Sequence, residues 1–148
     1  MFPNLKNHTH MYVLLAAVLS MVCITGCSRP PEPIAVTGAM VRDLVPGRDT
    51  TAGYFVLQNN TAGELTLTGA RSELARAIEM HKTVQRKNSV GMQRVNSLDI
   101  APNTEVRFER GGLHLMIFGV AEVPDAFPIT LTFSSGEQLQ VTFSKLPL

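Results

Sequence analysis

Cysteine is almost absent from this chain, because its 148 residues include only Cys23 and Cys27. Residues 28–148, the part long enough to fold, therefore contain no thiol. This absence excludes disulfide stabilisation and thiolate catalysis in that part. It also excludes a blue-copper electron carrier and a thioredoxin-like reductase, since the first needs a cysteine thiolate with two histidines and the second needs a cysteine pair.

The chain also lacks an excess of charge of one sign. Its 13 Lys and Arg are matched by 12 Asp and Glu, and charged residues make up only 17% of the sequence. A nucleic-acid-binding surface needs a concentration of basic side chains, so this balance excludes a nucleic-acid partner. The 45% of hydrophobic residues, with 11 glycines and 9 prolines, is typical of a globular domain that has many turns.

No hydrophobic run is long enough to cross a membrane as a helix. The longest, residues 11–24, has 14 residues, against the roughly 20 that a transmembrane helix needs. A short apolar segment after a polar start with one lysine is typical of a signal peptide, and we predict one over residues 1–26. The sequence Ile24-Thr25-Gly26-Cys27 resembles a bacterial lipobox, which implies cleavage before Cys27 and lipidation of that cysteine.

The lipobox resemblance implies an exported protein that only a lipid anchor holds at the bacterial cell envelope. Ser28, in place of aspartate, resembles the pattern that passes to the outer membrane in diderm bacteria. A soluble secreted protein with a Cys23–Cys27 disulfide is the alternative, and it fits poorly because both cysteines lie at the apolar signal segment. Residues 27–33 are predicted to be the acylated cysteine and a proline-rich tether, and residues 34–148 one domain.

Alternation of apolar and polar residues, without a long helical period, predicts a mostly antiparallel all-β domain. The clearest strand pair covers residues 127–133 and 139–143, which alternate on either side of a Ser-Ser-Gly turn. Residues 69–77 could form a helical turn, and the polar residues 85–89 are predicted to be a flexible loop. Nine short strands separated by turns favour a sandwich. The other seven predicted strands cover residues 34–41, 53–57, 64–68, 76–81, 92–95, 105–109 and 113–118.

His114 and Met116 are the first candidates for chemistry. Side chains two residues apart lie on the same face of a strand, so a strand here would project both side by side. His81 lies on another predicted strand and faces away from Met80, which we predict to be a core residue. Met92 opens the strand that follows the predicted loop.

Two imidazoles and two thioethers, with no thiolate and no cluster of carboxylates, form a soft and neutral donor set. Such a set selects Cu(I) over Mg²⁺, Ca²⁺ or Mn²⁺, which prefer oxygen, and over Zn²⁺, for which thioethers are poor ligands. Thioether sulfur carries no proton, so only the histidines need to be neutral for binding. A single histidine or methionine on a strand face is more often a packed core residue, and only the spacing of the whole set strengthens the metal interpretation.

The spacing His81-x10-Met92-x21-His114-x-Met116, with Gly-Gly-Leu-His-Leu-Met around His114, resembles the PCu(A)C family of periplasmic copper chaperones. The resemblance covers about residues 34–143. It implies a cupredoxin-like Greek-key β-sandwich that binds one Cu(I) through these four residues on the periplasmic side of the envelope. It further implies delivery of copper toward the dinuclear copper centre of cytochrome c oxidase. The partner would be an oxidase subunit or a Sco-type thiol protein, and we expect a monomer.

Copper sequestration and enzymatic activity are the alternatives to copper delivery. The same site could sequester copper for tolerance in a scavenging lipoprotein, and the sequence does not separate this alternative from delivery. An enzyme is not expected, since the chain has neither a nucleophile elbow nor a His-Glu-x-x-His motif. Arg107, Glu109 and Arg110 precede the glycine pair. A docking patch near the site is one interpretation of these charges, and a solvated strand face is the one that we favour, so we assign them no role.

Overall fold

The computed structural model describes residues 32–147, which form ten β-strands and no helix. The predicted signal peptide 1–26, the predicted lipidation site Cys27 and most of the predicted tether 27–33 lie outside the described residues. Among residues 32–147 there is no helix that could span a membrane. The strands are β1 Ile34–Arg42, β2 Thr50–Asn59, β3 Leu65–Arg71, β4 Ala77–Arg86, β5 Ser89–Val95, β6 Leu98–Ile100, β7 Thr104–Phe108, β8 Leu113–Phe118, β9 Ala126–Phe133 and β10 Gln138–Leu146.

All ten strands belong to one sheet, whose order is β5-β4-β8-β7-β2-β1-β10-β9-β3-β6. Further pairings, of β8 with β2 and of β3 with β4, close the sheet on itself. Because the sheet closes, one face of each strand can turn towards a shared interior. The prediction of an all-β domain is confirmed.

Most neighbouring strands run antiparallel, which short turns and alternation predict. Two pairings are parallel instead. Met40–Arg42 of β1 lies alongside Ser144–Leu146 of β10, and Phe108 of β7 has a parallel partner in Leu113 of β8. The first of these pairings joins the first and last strands, and it therefore depends on the complete fold.

The core lies on the inner face and is built from alternating side chains. In β9 every second side chain is buried, which confirms the apolar face predicted for that strand. Phe55 of β2 stacks on Phe108 of β7 with 4.1 Å between the ring centroids, and Phe143 of β10 meets Phe55 edge-on at 5.5 Å. Met80 of β4, predicted to be a core residue, is 4% exposed and belongs to this cluster.

The prediction of a flexible loop at residues 85–89 is wrong. Gln85 and Arg86 are the last residues of β4, and Ser89 is already the first residue of β5. The two strands form a hairpin whose register runs from Arg86 opposite Ser89 to Met80 opposite Val95. The side chains near the hairpin tip are polar because they lie beyond the core, so alternation is lost there although the backbone is paired.

Smaller differences concern turns and strand ends. Residues 69–77 hold the end of β3, a turn with a hydrogen bond from Ala75 N to Ser72 O, and the start of β4, with no helical turn. Glu109 follows β7 and belongs to a turn, where a strand end was expected. β6 is an additional strand of three residues, too short to show alternation.

Candidate metal centre

Strand β8 presents His114 and Met116 on the face opposite to the core. Leu115 and Ile117 alternate with them and have no exposed surface. Since successive side chains of a strand point to opposite faces, His114 and Met116 share the outer face. The predicted side-by-side placement of the imidazole and the thioether is confirmed for the strand that carries them.

A tight turn before β8 fixes where this strand begins. In the turn, Glu109 N donates to Leu113 O at 2.6 Å and Gly112 N donates to Glu109 O at 3.2 Å. Gly111 has a φ of +76°, a backbone conformation that favours glycine. Thr83 N of β4 donates to Gly112 O at 3.0 Å, so the turn also ties β8 to its neighbouring strand. The Gly-Gly pair is therefore part of the framework of the site.

Strand β4 places His81 directly opposite His114. The two residues are antiparallel partners in the register, and their ring centroids are 6.3 Å apart. The same register sets Glu79 opposite Met116. Directly opposite residues of paired strands share a face, so both histidines and Met116 lie on the outer face of the sheet.

Strand β5 brings Met92 to the same face. Met92 is the register partner of Thr83, which lies two residues from His81 on β4. Its side chain is exposed, at 62%, and has room to change rotamer. Met92, His114 and Met116 line one open cleft of about 330 Å³. His81, whose side chain is 17% exposed, lies beside His114 and is not part of the cleft wall.

Hydrogen bonds orient both imidazole rings. His114 Nδ1 lies 3.1 Å from Gly112 O, an acceptor, so Nδ1 carries the proton and Nε2 keeps its lone pair. His81 Nε2 lies 2.9 Å from a carboxylate oxygen of Glu79, so for this ring the protonated nitrogen is Nε2. His81 Nδ1 is buried and has no hydrogen-bond partner among the described residues. A buried lone pair without a partner is what a nitrogen prepared for a metal ion requires.

Glu79 is held in its ionised form. Its hydrogen bond with His81 lowers the pKa of the Glu79 carboxyl, and the charge of Arg94 lowers it further, against an opposing effect of burial. Arg94 Nη1 lies 2.8 Å from the other carboxylate oxygen. A carboxylate that accepts the second N–H of a histidine fixes the ring and raises its basicity as a metal ligand.

Taken together, the four predicted ligands offer two imidazole nitrogens and two thioether sulfurs on one sheet face. Soft, uncharged donors of this kind fit a soft monovalent cation such as Cu(I). Residues 32–147 contain no group of three or more His, Cys, Asp and Glu side chains that could hold a metal ion. The residues that could hold a metal ion at this place are His81, Met92, His114 and Met116.

The sequence did not identify the other residues around the cleft. Arg42, Ala52, Tyr54 and Arg110 line it beside the candidate ligands. Arg110, which was given no role from the sequence, extends over the ring of Tyr54, with its guanidinium carbon 5.9 Å from the centroid. Alternation assigns Arg42, Ala52 and Tyr54 a face of their own strands, but it does not show which strands become neighbours. Arg110 lies in a turn, for which alternation predicts no face. For Glu79, the spacing Glu-x-His on one strand is a signal that predicts contact with the histidine.

The family model described as "Putative lipoprotein LpqE-like" matches residues 34–144. The chain belongs to this family. A relative, "Putative lipoprotein Lxx21020" of Leifsonia xyli subsp. xyli, is 26% identical over 137 residues, which cover 82% of this chain and 80% of the relative. The LpqE-like match spans all four candidate ligands.

The fold of the LpqE-like chain is that of solved PCuAC domains. The solution structure of CuI-DR1885 from Deinococcus radiodurans is 27% identical with a TM-score of 0.61, and covers 80% of each chain. Apo-DR1885 of the same organism is 28% identical with a TM-score of 0.60, over 78% of this chain and 80% of that chain. The copper-bound PCuAC domain from PmoF2 has a TM-score of 0.67 over 80% of this chain and 97% of that domain, and its 17% identity supports the fold alone. The PCuAC assignment is thus supported by structure, while the family model supports the LpqE-like one.

Proposed function

We propose that this LpqE-like protein is a copper chaperone of the bacterial cell envelope, which binds one Cu(I) through His81, Met92, His114 and Met116. It performs no bond chemistry on a substrate. It accepts the ion and passes it to a copper-accepting protein, and the acceptor that the sequence resemblance implies is the dinuclear copper centre of cytochrome c oxidase. The lipid on Cys27 would anchor it on the periplasmic side, at the outer membrane in a diderm cell.

One observation carries this proposal. His81 and His114 are register partners on adjacent strands, and the two methionines lie on the same outer face. Free nitrogen lone pairs remain on both rings once their hydrogen bonds are assigned. The likeness to the Cu(I)-loaded DR1885 structure supports the choice of ion, and the lipoprotein family name supports the anchor.

Competition with a chromophoric Cu(I) chelator, without oxygen, tests the site in the full-length protein in detergent. We expect binding of one Cu(I) per chain. Replacing Met116 by leucine removes the sulfur and keeps the volume, and we expect the affinity to fall by at least about tenfold, which corresponds to 1.4 kcal/mol. His114→Ala should weaken binding at least as much.

Met80→Leu is the matched control for Met116→Leu, because Met80 pairs opposite Leu115 and faces the core. Its competition curve should coincide with that of the unaltered protein. Unchanged curves for both Met116→Leu and His114→Ala would refute the proposed ligands.

Delivery and sequestration use the same site, so they require a test in cells. A deletion strain should show poor copper loading of its oxidase when copper is scarce if the protein delivers copper. Poor survival at excess copper, with normal oxidase loading, would show sequestration for tolerance instead.

A further inference from the structure

The cleft beside the candidate ligands carries positive charge that the site itself does not use. Arg42 and Arg110 both line the cleft, and no Asp or Glu side chain of the described residues lines it. Neither guanidinium forms an ion pair within residues 32–147. The nearby Glu79 is already engaged with His81 and Arg94.

Arg42 shows a specific need for an acceptor. Its Nε is buried and has no hydrogen-bond partner in the part of the chain that the structure describes. A buried donor without an acceptor is unfavourable, and more so when the group is charged. Because the Arg42 side chain lines the cleft, an oxygen anion bound there would become an acceptor for this donor after a rotation of the side chain.

Arg110 also lines the cleft and is held by an aromatic neighbour. Its guanidinium lies over Tyr54, 5.9 Å from the ring centroid, an arrangement that restricts the side chain and leaves its N–H groups available. The planar guanidinium matches a carboxylate, which can accept two parallel N–H bonds.

We propose that Arg42 and Arg110 receive a carboxylate from an acidic side chain of the protein that exchanges copper with this one. This inference rests on the proposed function, because an exchange partner must bring its own ligands to the cleft that Met92, His114 and Met116 line. Acidic side chains next to those ligands would then meet the two arginines. Arg42 and Arg110 thereby select partners with a negatively charged rim and orient them over the candidate ligands.

An NMR titration without copper tests this inference separately from metal binding. Two end-blocked peptides, Met-Asp-Asp-Met and Met-Asn-Asn-Met, have equal length and the same methionines and differ in charge. We expect the Asp peptide to shift the amide signals of Tyr54 and Gly111 in the full-length protein. Half-saturation should come at a concentration at least about tenfold lower than for the Asn peptide, with the difference shrinking in high salt.

Substitutions test whether Arg42 and Arg110 cause the preference for the Asp peptide. Arg110→Gln, in an exposed turn, and Arg42→Gln should each reduce the preference for the Asp peptide, and the double variant should abolish it. Arg110→Lys, which keeps the charge, should retain part of it. Arg71→Gln is the matched control, because it removes the same charge from a residue paired with Glu73 away from the cleft, and it should keep the full preference.

Equal binding of the two peptides would overturn the inference, as would loss of the preference in Arg71→Gln. Titration with succinate separates the sources of the carboxylate. If succinate binds as tightly as the Asp peptide, the cleft is a site for small carboxylates and the assignment to a protein partner is wrong. A protein that binds these peptides as expected but fails the Cu(I) competition would refute the proposed function alone.

Discussion

Glu79 contacts the candidate ligand His81 and the surface residue Arg94 at the same time. One of its carboxylate oxygens lies 2.9 Å from His81 Nε2 and the other 2.8 Å from Arg94 Nη1. It therefore determines which nitrogen of His81 is available. The ring presents Nδ1, while the His114 ring presents Nε2.

Removing this carboxylate should weaken copper binding without unfolding the protein. For Glu79→Ala we expect a loss of Cu(I) affinity of about 10- to 100-fold, because outer groups that orient a metal-bound histidine have effects of this size. Glu79→Gln can still accept the Nε2 proton and should lose less. Chelator competition measures both variants.

Glu105→Ala is a suitable comparison, since Glu105 pairs with Arg107 away from the cleft. It should leave the Cu(I) affinity unchanged. If Glu79→Ala bound Cu(I) as tightly as Glu105→Ala, the orienting role assigned to Glu79 would be wrong.

Residue patterns predicted that His114 and Met116 share a strand face and that Met80 faces the core, and the structure bears out both. They did not predict Arg42 as a neighbour of the site, and for Arg110 they favoured a solvated strand face over a docking patch near the site. Periodicity is a property of one strand, whereas these two contacts depend on which strands pair and on the path of a turn. The four ligands came from their spacing and from a family resemblance, and their role as ligands stays a prediction.

Among the elements, β2 ends in an unusual way. Asn59 is the last residue of the strand, and this polar residue is fully buried. Its amide nitrogen donates to the backbone oxygens of Gly63 and Ile100, at 2.8 and 3.0 Å. Its side-chain oxygen accepts from Thr61 N at 3.0 Å. One side chain thus joins β2, the following loop and β6.

Asn59→Ala should destabilise the fold by about 2–4 kcal/mol, because several buried backbone groups lose their hydrogen-bond partner at once. Urea unfolding of the copper-free protein measures the change. Asn60→Ala is the neighbouring control. Asn60 is exposed and its side chain donates only to Glu32 O, so its loss should cost about 1 kcal/mol or less. Equal losses in the two variants would contradict the bridging role of Asn59.

The sequence predicts that a strand is present more reliably than it predicts the residues at which the strand begins and ends. Every predicted strand is present, but β2 and β4 extend well beyond their predicted ends. The extensions carry polar or half-buried side chains at positions outside the core, so they are set by backbone pairing with neighbouring strands. That pairing leaves no alternation for the sequence to reveal.

At the scale of the whole molecule, the first strand and the last strand of the described residues are joined where each of them ends. Asp43, directly after β1, donates its backbone N–H to Leu146 O of β10 at 2.8 Å. Its carboxylate lies 3.1 Å from Lys145 Nζ. The hydrogen bond from Lys145 lowers the pKa of the Asp43 carboxyl, with further lowering by the backbone N–H of Leu44 and by the charge of Lys145, against an opposing effect of burial.

This ion pair should make stability depend on pH in the acid range. Because the folded pKa of Asp43 lies below its unfolded value, the pair stabilises the fold fully above about pH 4. The stabilisation is lost as the pH falls through the lower folded pKa. Asp43→Asn should therefore lower the Tm at pH 7, and the difference from the unaltered protein should shrink towards pH 2.

Thermal unfolding followed by circular dichroism measures this difference. In a Lys145→Met background the ion pair is absent, so Asp43→Asn should lower the Tm less, with only the hydrogen bond from Leu44 N left to favour the carboxylate. A Tm difference that stays constant between pH 7 and pH 2 would show that this pair does not join the chain ends as described.

The all-β class of the molecule was predictable, and its closure was not. Alternation and turns are local signals, and they indicate antiparallel hairpins. The parallel contact between β1 and β10 joins residues about a hundred positions apart and follows only from the completed sheet. The segments before residue 32 were predicted from signal-peptide and lipobox patterns, and those interpretations stay predictions.

Strands β4 and β8 have the hydrophobic core on one face and the candidate metal site on the other. Met80 and Leu115 close the interior on one side, while His81 and His114 point away from it on the other. Since the hydrophobic contacts are complete without any group bound outside, the fold does not depend on occupation of the outer face. In the proposed copper chaperone, uptake and release of the ion would then need side-chain rearrangement alone, with no unfolding in between.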